Sequence, residues 1–173
     1  EIAIKYGAKV PFLRSVENSN DYATTMDVIV EVLNNYSSLG KYFDRACCIY
    51  ATAPFVTSES IKAAYQVLDK GYTSVFPVLQ YSFPIQRALK VNNDKIEMYN
   101  QKYLETRSQD LQKSYHDSGQ FYWMDVVEIL KSKELFSDNT SFIVLEEMEA
   151  QDIDTEEDWK VAEFKFRLLH DEA

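Results

Sequence analysis

From Ala46 to Leu79 the chain reads strand, helix, strand, and this order constrains the fold more than any other feature of the sequence. Ala46-Cys47-Cys48-Ile49-Tyr50-Ala51 is a continuous apolar run of strand length. Such a run suits a central parallel strand covered on both faces. Thr52-Ala53-Pro54 breaks it, and Thr57 is placed to cap a helix with Ile61, Ala64, Tyr65 and Leu68 on one side and Gly71 just past its end. Tyr72 to Leu79 reads as the next strand. A βαβ unit of this kind takes a right-handed crossover, so the fold class expected is α/β, with helices flanking a mainly parallel sheet.

The rest of the chain fits around that unit. Glu1 to Tyr6 reads as the end of a helix with Gly7 as its left-handed cap, and Asp21 to Thr25 offers capping side chains to a helix carrying Thr25, Ile29, Leu33 and Tyr36 on one face, stopped by Gly40. The segments around Ala88-Leu89-Lys90-Val91 and Ile96-Glu97-Met98-Tyr99 flank the turn-forming cluster Asn92-Asn93-Asp94, which predicts a β-hairpin arm between residues 82 and 118. Gln101 to Asp117 is polar, with little to bury by itself, and is expected to lie against another surface. Gln120-Phe121-Tyr122-Trp123 restores a strand signal, Asp125 can cap a short helix through Lys133, and Phe142 to Leu145 is a last strand. Thr155 and Asp158 have capping-box spacing, with Trp159, Ala162, Phe166 and Leu169 as the expected buried stripe of a final helix.

Charge and composition exclude several classes of function. A net charge of −10 opposes nucleic-acid binding, which draws on a basic face. No apolar stretch approaches the ~20 residues that cross a bilayer, so no membrane partner is expected. The two cysteines, Cys47 and Cys48, are adjacent, where a mutual bridge would be strained, and read as buried thiols of a reducing, cytoplasmic protein. There is no Gly-rich phosphate loop, no G-x-S-x-G and no H-E-x-x-H.

Asp152-Ile153-Asp154 is the sharpest chemical signal, because residues two apart in an extended segment share a face. Such a carboxylate pair suits Mg²⁺, which completes its shell with water and phosphate oxygens. The same acids also serve as the start of a helix, where carboxylates are favoured. Thr52-Ala53-Pro54-Phe55 follows the first strand of the βαβ unit, at the edge where open α/β sheets bind ligands. Arg107, with Lys102 and Lys113 near it, could take an anionic group or stand as a solvated charge. His116 reads as structural.

Ile49-Tyr50-Ala51-Thr52-Ala53-Pro54-Phe55, Arg107-Ser108-Gln109-Asp110-Leu111, Asp117-Ser118-Gly119-Gln120-Phe121-Tyr122-Trp123 and Asp152-Ile153-Asp154-Thr155-Glu156-Glu157-Asp158-Trp159 together resemble the CMP-nonulosonic acid cytidylyltransferases. The likeness runs over nearly the whole chain. It is nearest to the pseudaminic acid branch in the Ser-Gly-Gln-Phe-Tyr-Trp stretch and in Tyr81-Ser82-Phe83-Pro84-Ile85-Gln86-Arg87.

The resemblance implies a single nucleotidyltransferase domain over 1–173, of three-layer, nucleotide-diphospho-sugar-transferase-like (Rossmann-like) type, with 82–118 as an arm that forms a homodimer. It implies CMP transfer from CTP to the anomeric hydroxyl of a nine-carbon acidic sugar, with pyrophosphate released, Mg²⁺ held by Asp152 and Asp154, and a role in cell-surface or flagellin glycosylation. Tyr50 and Thr52 fall where the family lines its nucleotide and sugar pocket, and Tyr122 where it places a sugar-contacting tyrosine. Gln109 and Gln120 join the substrate-binding set. Arg107 matches a basic residue that reaches the other subunit's site. Arg14 and Thr25 fall near the nucleoside.

Two departures bear on the sugar: Tyr50 stands where sialic acid enzymes carry glutamine, and Gln86 where they carry lysine. Both point away from sialic acid, with pseudaminic acid expected and a CMP-N-acetylneuraminate enzyme, or one for another acidic sugar such as legionaminic or keto-deoxyoctulosonic acid, as the neighbouring alternatives. The family also opens with a strand and a basic, Gly-rich loop resembling P-A-R-G-G-S-K, which is not found here. The chain is therefore expected to be N-terminally truncated, with little turnover by itself. The alternative from another class is a non-catalytic dimeric remnant of the fold.

Overall fold

The computed structural model describes residues 1–170 and is α/β. Helix α1 (Ile2–Lys5) ends at Gly7 with φ +90°, and α2 (Thr25–Ser38) starts at Thr24, whose side chain and that of Asp27 form a reciprocal capping box. Strand β1 (Arg45–Ile49), helix α3 (Ser58–Leu68) and strand β2 (Ser74–Gln80) follow as the sequence predicts. The arm is a hairpin, β3 (Leu89–Asn92) and β4 (Lys95–Met98), paired from Leu89↔Met98 to Asn92↔Lys95. Its two turn residues, Asn93 and Asp94, have φ +47° and +62°, which matches the twist of a two-residue hairpin. Strands β5 (Tyr115–Asp117) and β6 (Phe121–Asp125), helix α4 (Val126–Ser132), strand β7 (Thr140–Val144) and helix α5 (Glu156–Leu169) complete the chain.

The larger sheet has the order β1-β6-β2-β5, with β7 also pairing with β2. Its registers differ from the mainly parallel sheet expected. Strand β2 is antiparallel to β6 (Ser74↔Met124, Val75↔Trp123) and to β5 (Val78↔Asp117, Leu79↔His116). Tyr50 N donates to Gln120 O and Val126 N to Asp44 O, so β1 is antiparallel to β6 as well. Strands β1 and β2 therefore point the same way, as a βαβ crossover requires, but β6 lies between them. A reading of local pattern gives the order of β1, α3 and β2 along the chain and is blind to a strand arriving from forty residues later.

Two further expectations change for similar reasons. Strand β1 is at the end of the strand order and half-buried, with Ile49 50% exposed, rather than central and covered on both faces. On α5 the buried positions are Ala162 and Lys165, while Trp159, Phe166 and Leu169 are exposed, so the aromatic stripe is not the inner face. Strand β5 lies within the stretch read as merely polar.

The chain forms two compact units. One comprises residues 1–48, 65–75 and 122–141, with Ile29, Leu33, Leu68, Val75, Met124 and Ile129 buried. In it Ser74, fully buried, donates from its hydroxyl to Leu135 O, and Arg45 is ion-paired with Asp125, which also caps α4. The other comprises, of the described residues, 49–64, 76–121 and 142–170, and buries Phe55, Ala64, Phe76 and Phe121 together with a cluster of Leu79, Leu145 and Ala150.

Candidate functional site

Asp152, Ile153 and Asp154 form an extended link between a 3-10 turn at Glu147–Glu149 and the N-terminus of α5. The alternation expected of such a segment holds. Asp152 and Asp154 line a cavity of about 340 Å³ with Leu79, His116, Asp117, Ser118, Asp158 and Lys165. Ile153, half-buried between the two exposed aspartates, lines an apolar cavity with Pro54, Phe55, Trp159 and Phe166, and shares a further one with Asp154, Thr155 and Trp159. Asp158 is occupied in capping: it accepts from the Thr155 hydroxyl at 2.7 Å and from the Thr155 and Asp154 amides at 2.9 and 3.2 Å. These bonds, the Thr155 hydroxyl first, hold its carboxyl below the ordinary range. Asp152 accepts a bond from Ile153 N and Asp154 donates its amide to Asp158, so both capping and a two-carboxylate face are present in one short stretch.

Asp117 and Ser118, which also line the cavity, begin the turn Asp117-Ser118-Gly119-Gln120. Asp117 Oδ1 accepts from Gly119 N at 2.9 Å, and buried Ser118 donates from its hydroxyl to Pro77 O at 2.9 Å. Gly119 has φ +66°, and a Cβ there would lie 2.7 Å from Asp152 Oδ2. Glycine is required on both counts, conformation and space. Gln120 is 1% exposed; its Nε2 donates to Glu149 O at 2.8 Å, while its buried Oε1 has no hydrogen-bond partner among the described residues. Lys165, 7% exposed, donates to the carbonyls of Glu147 and Ala150, each at 2.8 Å. Sequence reasoning passed over Gly119 and Lys165. The available signal for the second was a lysine three residues after Ala162, on the inner row of α5.

The other expected site residues are distributed as follows. Tyr50 is half-buried and tied through its amide to Gln120 O, and Thr52 is exposed in the turn after β1. Gln109 lines another cavity, of about 300 Å³, with Tyr81, Phe83, Pro84 and Lys113. Near it Gln86 donates to Gln112 O at 2.8 Å. Arg107 is exposed and makes a two-pronged pair with Asp110, Nε to Oδ2 at 2.7 Å and Nη2 to Oδ1 at 3.2 Å. Tyr122 is 5% exposed within β6, and it belongs with Arg14 and Thr25 to the first compact unit. Arg14 is exposed, and Thr25 is the first residue of α2, beside the cap Thr24. The structure thus brings Asp152 and Asp154 into one cavity and puts Arg107 and Gln109 on the arm side of the second unit.

No protein-family model matches the chain. It is 35% identical over 175 residues to the pseudaminic acid cytidylyltransferases of two strains of Campylobacter jejuni, a match covering 100% of this chain and 75% of each relative. The chain belongs to the CMP-nonulosonic acid cytidylyltransferase family. A further relative, the CMP-N,N'-diacetyllegionaminic acid synthase of Legionella pneumophila, is 28% identical over 178 residues, with 100% of this chain and 75% of the relative covered. Among the described residues no group of three or more His, Cys, Asp or Glu side chains is placed to hold a metal. Two carboxylates on one wall are nevertheless a donor set of hard oxygens, which suits Mg²⁺ when water and phosphate supply the remaining positions.

Proposed function

We propose that this chain carries the CMP-transferring activity of its family, joining CMP from CTP to the anomeric hydroxyl of a nonulosonic acid, with pseudaminic acid as the substrate. The match over the whole chain to two pseudaminic acid cytidylyltransferases carries this reading, and the shared cavity of Asp152 and Asp154 supports it. In the reaction the sugar's anomeric hydroxyl gives up its proton to solvent as its oxygen attacks the α-phosphorus of CTP, the bond from that phosphorus to the oxygen bridging to the β-phosphate breaks, and pyrophosphate leaves. No covalent intermediate on a side chain is needed.

Asp152 and Asp154 would hold Mg²⁺, which when bound neutralises phosphate charge as pyrophosphate departs. Gly119 leaves the room in which the Asp152 carboxylate sits, and Ser118 and Asp117 fix the turn that provides it. Tyr50, Thr52, Gln109 and Gln120 of the second unit, and Tyr122 of the first, are the residues assigned to substrate, with Arg14 and Thr25 of the first unit assigned to the nucleoside. Arg107 is a charge held ready by Asp110, and in the dimer it serves the partner's site. The arm over 82–118 makes that dimer: a two-stranded hairpin is marginal by itself, and Leu89, Val91 and Ile96 expose apolar surface on it. The three-layer arrangement of one nucleotidyltransferase domain, and action in the cytoplasm, belong to the same proposal.

A second reading, a legionaminic acid enzyme, is favoured by the match to the Legionella synthase. Pyrophosphate release from CTP and Mg²⁺ with pseudaminic, diacetyllegionaminic or N-acetylneuraminic acid separates the two. Release with pseudaminic acid alone is expected. Release with none of the three, from folded protein spanning the full length of its curated relatives, would refute the activity.

A further inference from the structure

Asp152 and Asp154 lie in a stretch with no secondary structure of its own, so the position of their carboxylates depends on what anchors the stretch at its two ends. The C-terminal end is fixed by the Thr155–Asp158 capping box. The N-terminal end is fixed from inside. Lys165 Nζ donates to Glu147 O and to Ala150 O, both at 2.8 Å, and Gln120 Nε2 donates to Glu149 O at 2.8 Å. Three of the carbonyls between 147 and 150 are therefore held by two side chains that are themselves 7% and 1% exposed.

A buried ammonium is costly unless fully bonded, and here its carboxylate partner, Glu147 Oε1, is 3.8 Å away with Glu147 itself mostly exposed. That ion pair is too long and too solvated to account for burying Lys165. An apolar side chain would pack beside Ala162 at this row of α5 without the cost. What an apolar residue lacks is a set of donors that ties two carbonyls, one at each end of a turn, to a single point.

We propose that Lys165 is a positioning residue, which sets the carboxylates of Asp152 and Asp154 by locking the turn ahead of them to α5. The proposal rests on the reading of those two aspartates as the metal-holding pair. Lys165 borders the cavity of the two aspartates, but two of its three donors are spent on the carbonyls of Glu147 and Ala150, and its proposed role is through the turn they hold. It acts as outer-shell supports of metal ligands do, where removal typically weakens metal affinity or activity by ~10–100-fold.

The test compares Lys165→Met and Lys165→Arg with the unmodified chain by two measurements that need no turnover. One is amide hydrogen exchange across 147–154; the other is Mn²⁺ binding, as a magnetic stand-in for Mg²⁺, followed by water-proton relaxation, with Asp154→Asn as the control. Faster exchange at 151–154 and Mn²⁺ affinity down by ~10-fold or more in Lys165→Met, with Lys165→Arg in between, are expected. A variant that melts earlier yet keeps wild-type exchange at 151–154 and wild-type Mn²⁺ affinity would overturn the proposal and leave Lys165 a core residue. If Lys165→Met does not fold, Lys165→Arg, which keeps the charge but spreads its donors over a planar fork, is judged by the same two signals. If the unmodified chain binds no Mn²⁺, the metal reading of the aspartates fails, while the exchange data still decide whether Lys165 fixes the turn.

Discussion

Replacing Gly119 with alanine tests the geometry of the acidic cavity through a single methyl group. Gly119 has φ +66°, and a left-handed conformation costs a non-glycine residue about 1–2 kcal/mol. The added Cβ would also meet Asp152 Oδ2 at 2.7 Å and Asp152 Cγ at 3.0 Å, distances that force something to move. The turn has little freedom to do so, because Gly119 N is bonded to Asp117 Oδ1 and Ser118 is bonded twice to Pro77 O. The exposed carboxylate yields instead, withdrawing by about 0.7 Å to reach an ordinary 3.4 Å contact. A misplacement of about 1 Å in a catalytic group costs on the order of 10²-fold in rate. Gly119→Ala is therefore expected to melt lower by about 2–8 °C and to release pyrophosphate about 100-fold more slowly. Gly119→Asn separates the two effects, since asparagine accepts a positive φ but has the same Cβ. It is expected to recover most of the melting temperature and little of the activity. If Gly119→Ala releases pyrophosphate within ~3-fold of wild type, a barrier change under ~1 kcal/mol, the crowding of Asp152 does not matter and the argument is wrong.

Other expectations follow from the same structure. Asp154→Asn removes one of the two carboxylates on the cavity wall, and should abolish Mg²⁺-dependent pyrophosphate release while the circular dichroism spectrum stays unchanged; near-normal release would end the metal assignment. Leu68→Ala empties a fully buried position in the first compact unit, and should lower stability to urea by about 2–5 kcal/mol with no change in substrate preference. Burial pushes the Cys47 thiol from 9.0 up to about 12, helped by neighbouring Cys48. The native protein should therefore react slowly with a disulfide reagent at pH 8 and rapidly once unfolded. Because the folded thiol holds its proton more tightly than the unfolded one, stability is unaffected below pH 9 and falls as pH rises from 9 toward 12, which a series of melts in that range would reveal.

Local patterns determined a large part of this protein. Caps, turns and periodicities located α2, α3, α4 and the hairpin within a residue or two, because Thr24, Asp125, Asn93 and Asp94 act on backbone groups a few positions away. The Asp152-Ile153-Asp154 alternation was equally legible, since an extended segment fixes which side chains share a face whatever surrounds it. Tertiary structure decided what depends on distant partners. The placing of β6 between β1 and β2, and with it the antiparallel registers, comes from pairings between residues far apart in the chain. Which face of α5 is inside was likewise settled by bonding rather than hydrophobicity. Lys165 is drawn in by the carbonyls of Glu147 and Ala150, and the aromatics that hydropathy would have buried are left outside. Pattern reads the propensity of a residue for its own neighbourhood; only the folded chain brings a carbonyl turn to a lysine or a glycine beneath an aspartate.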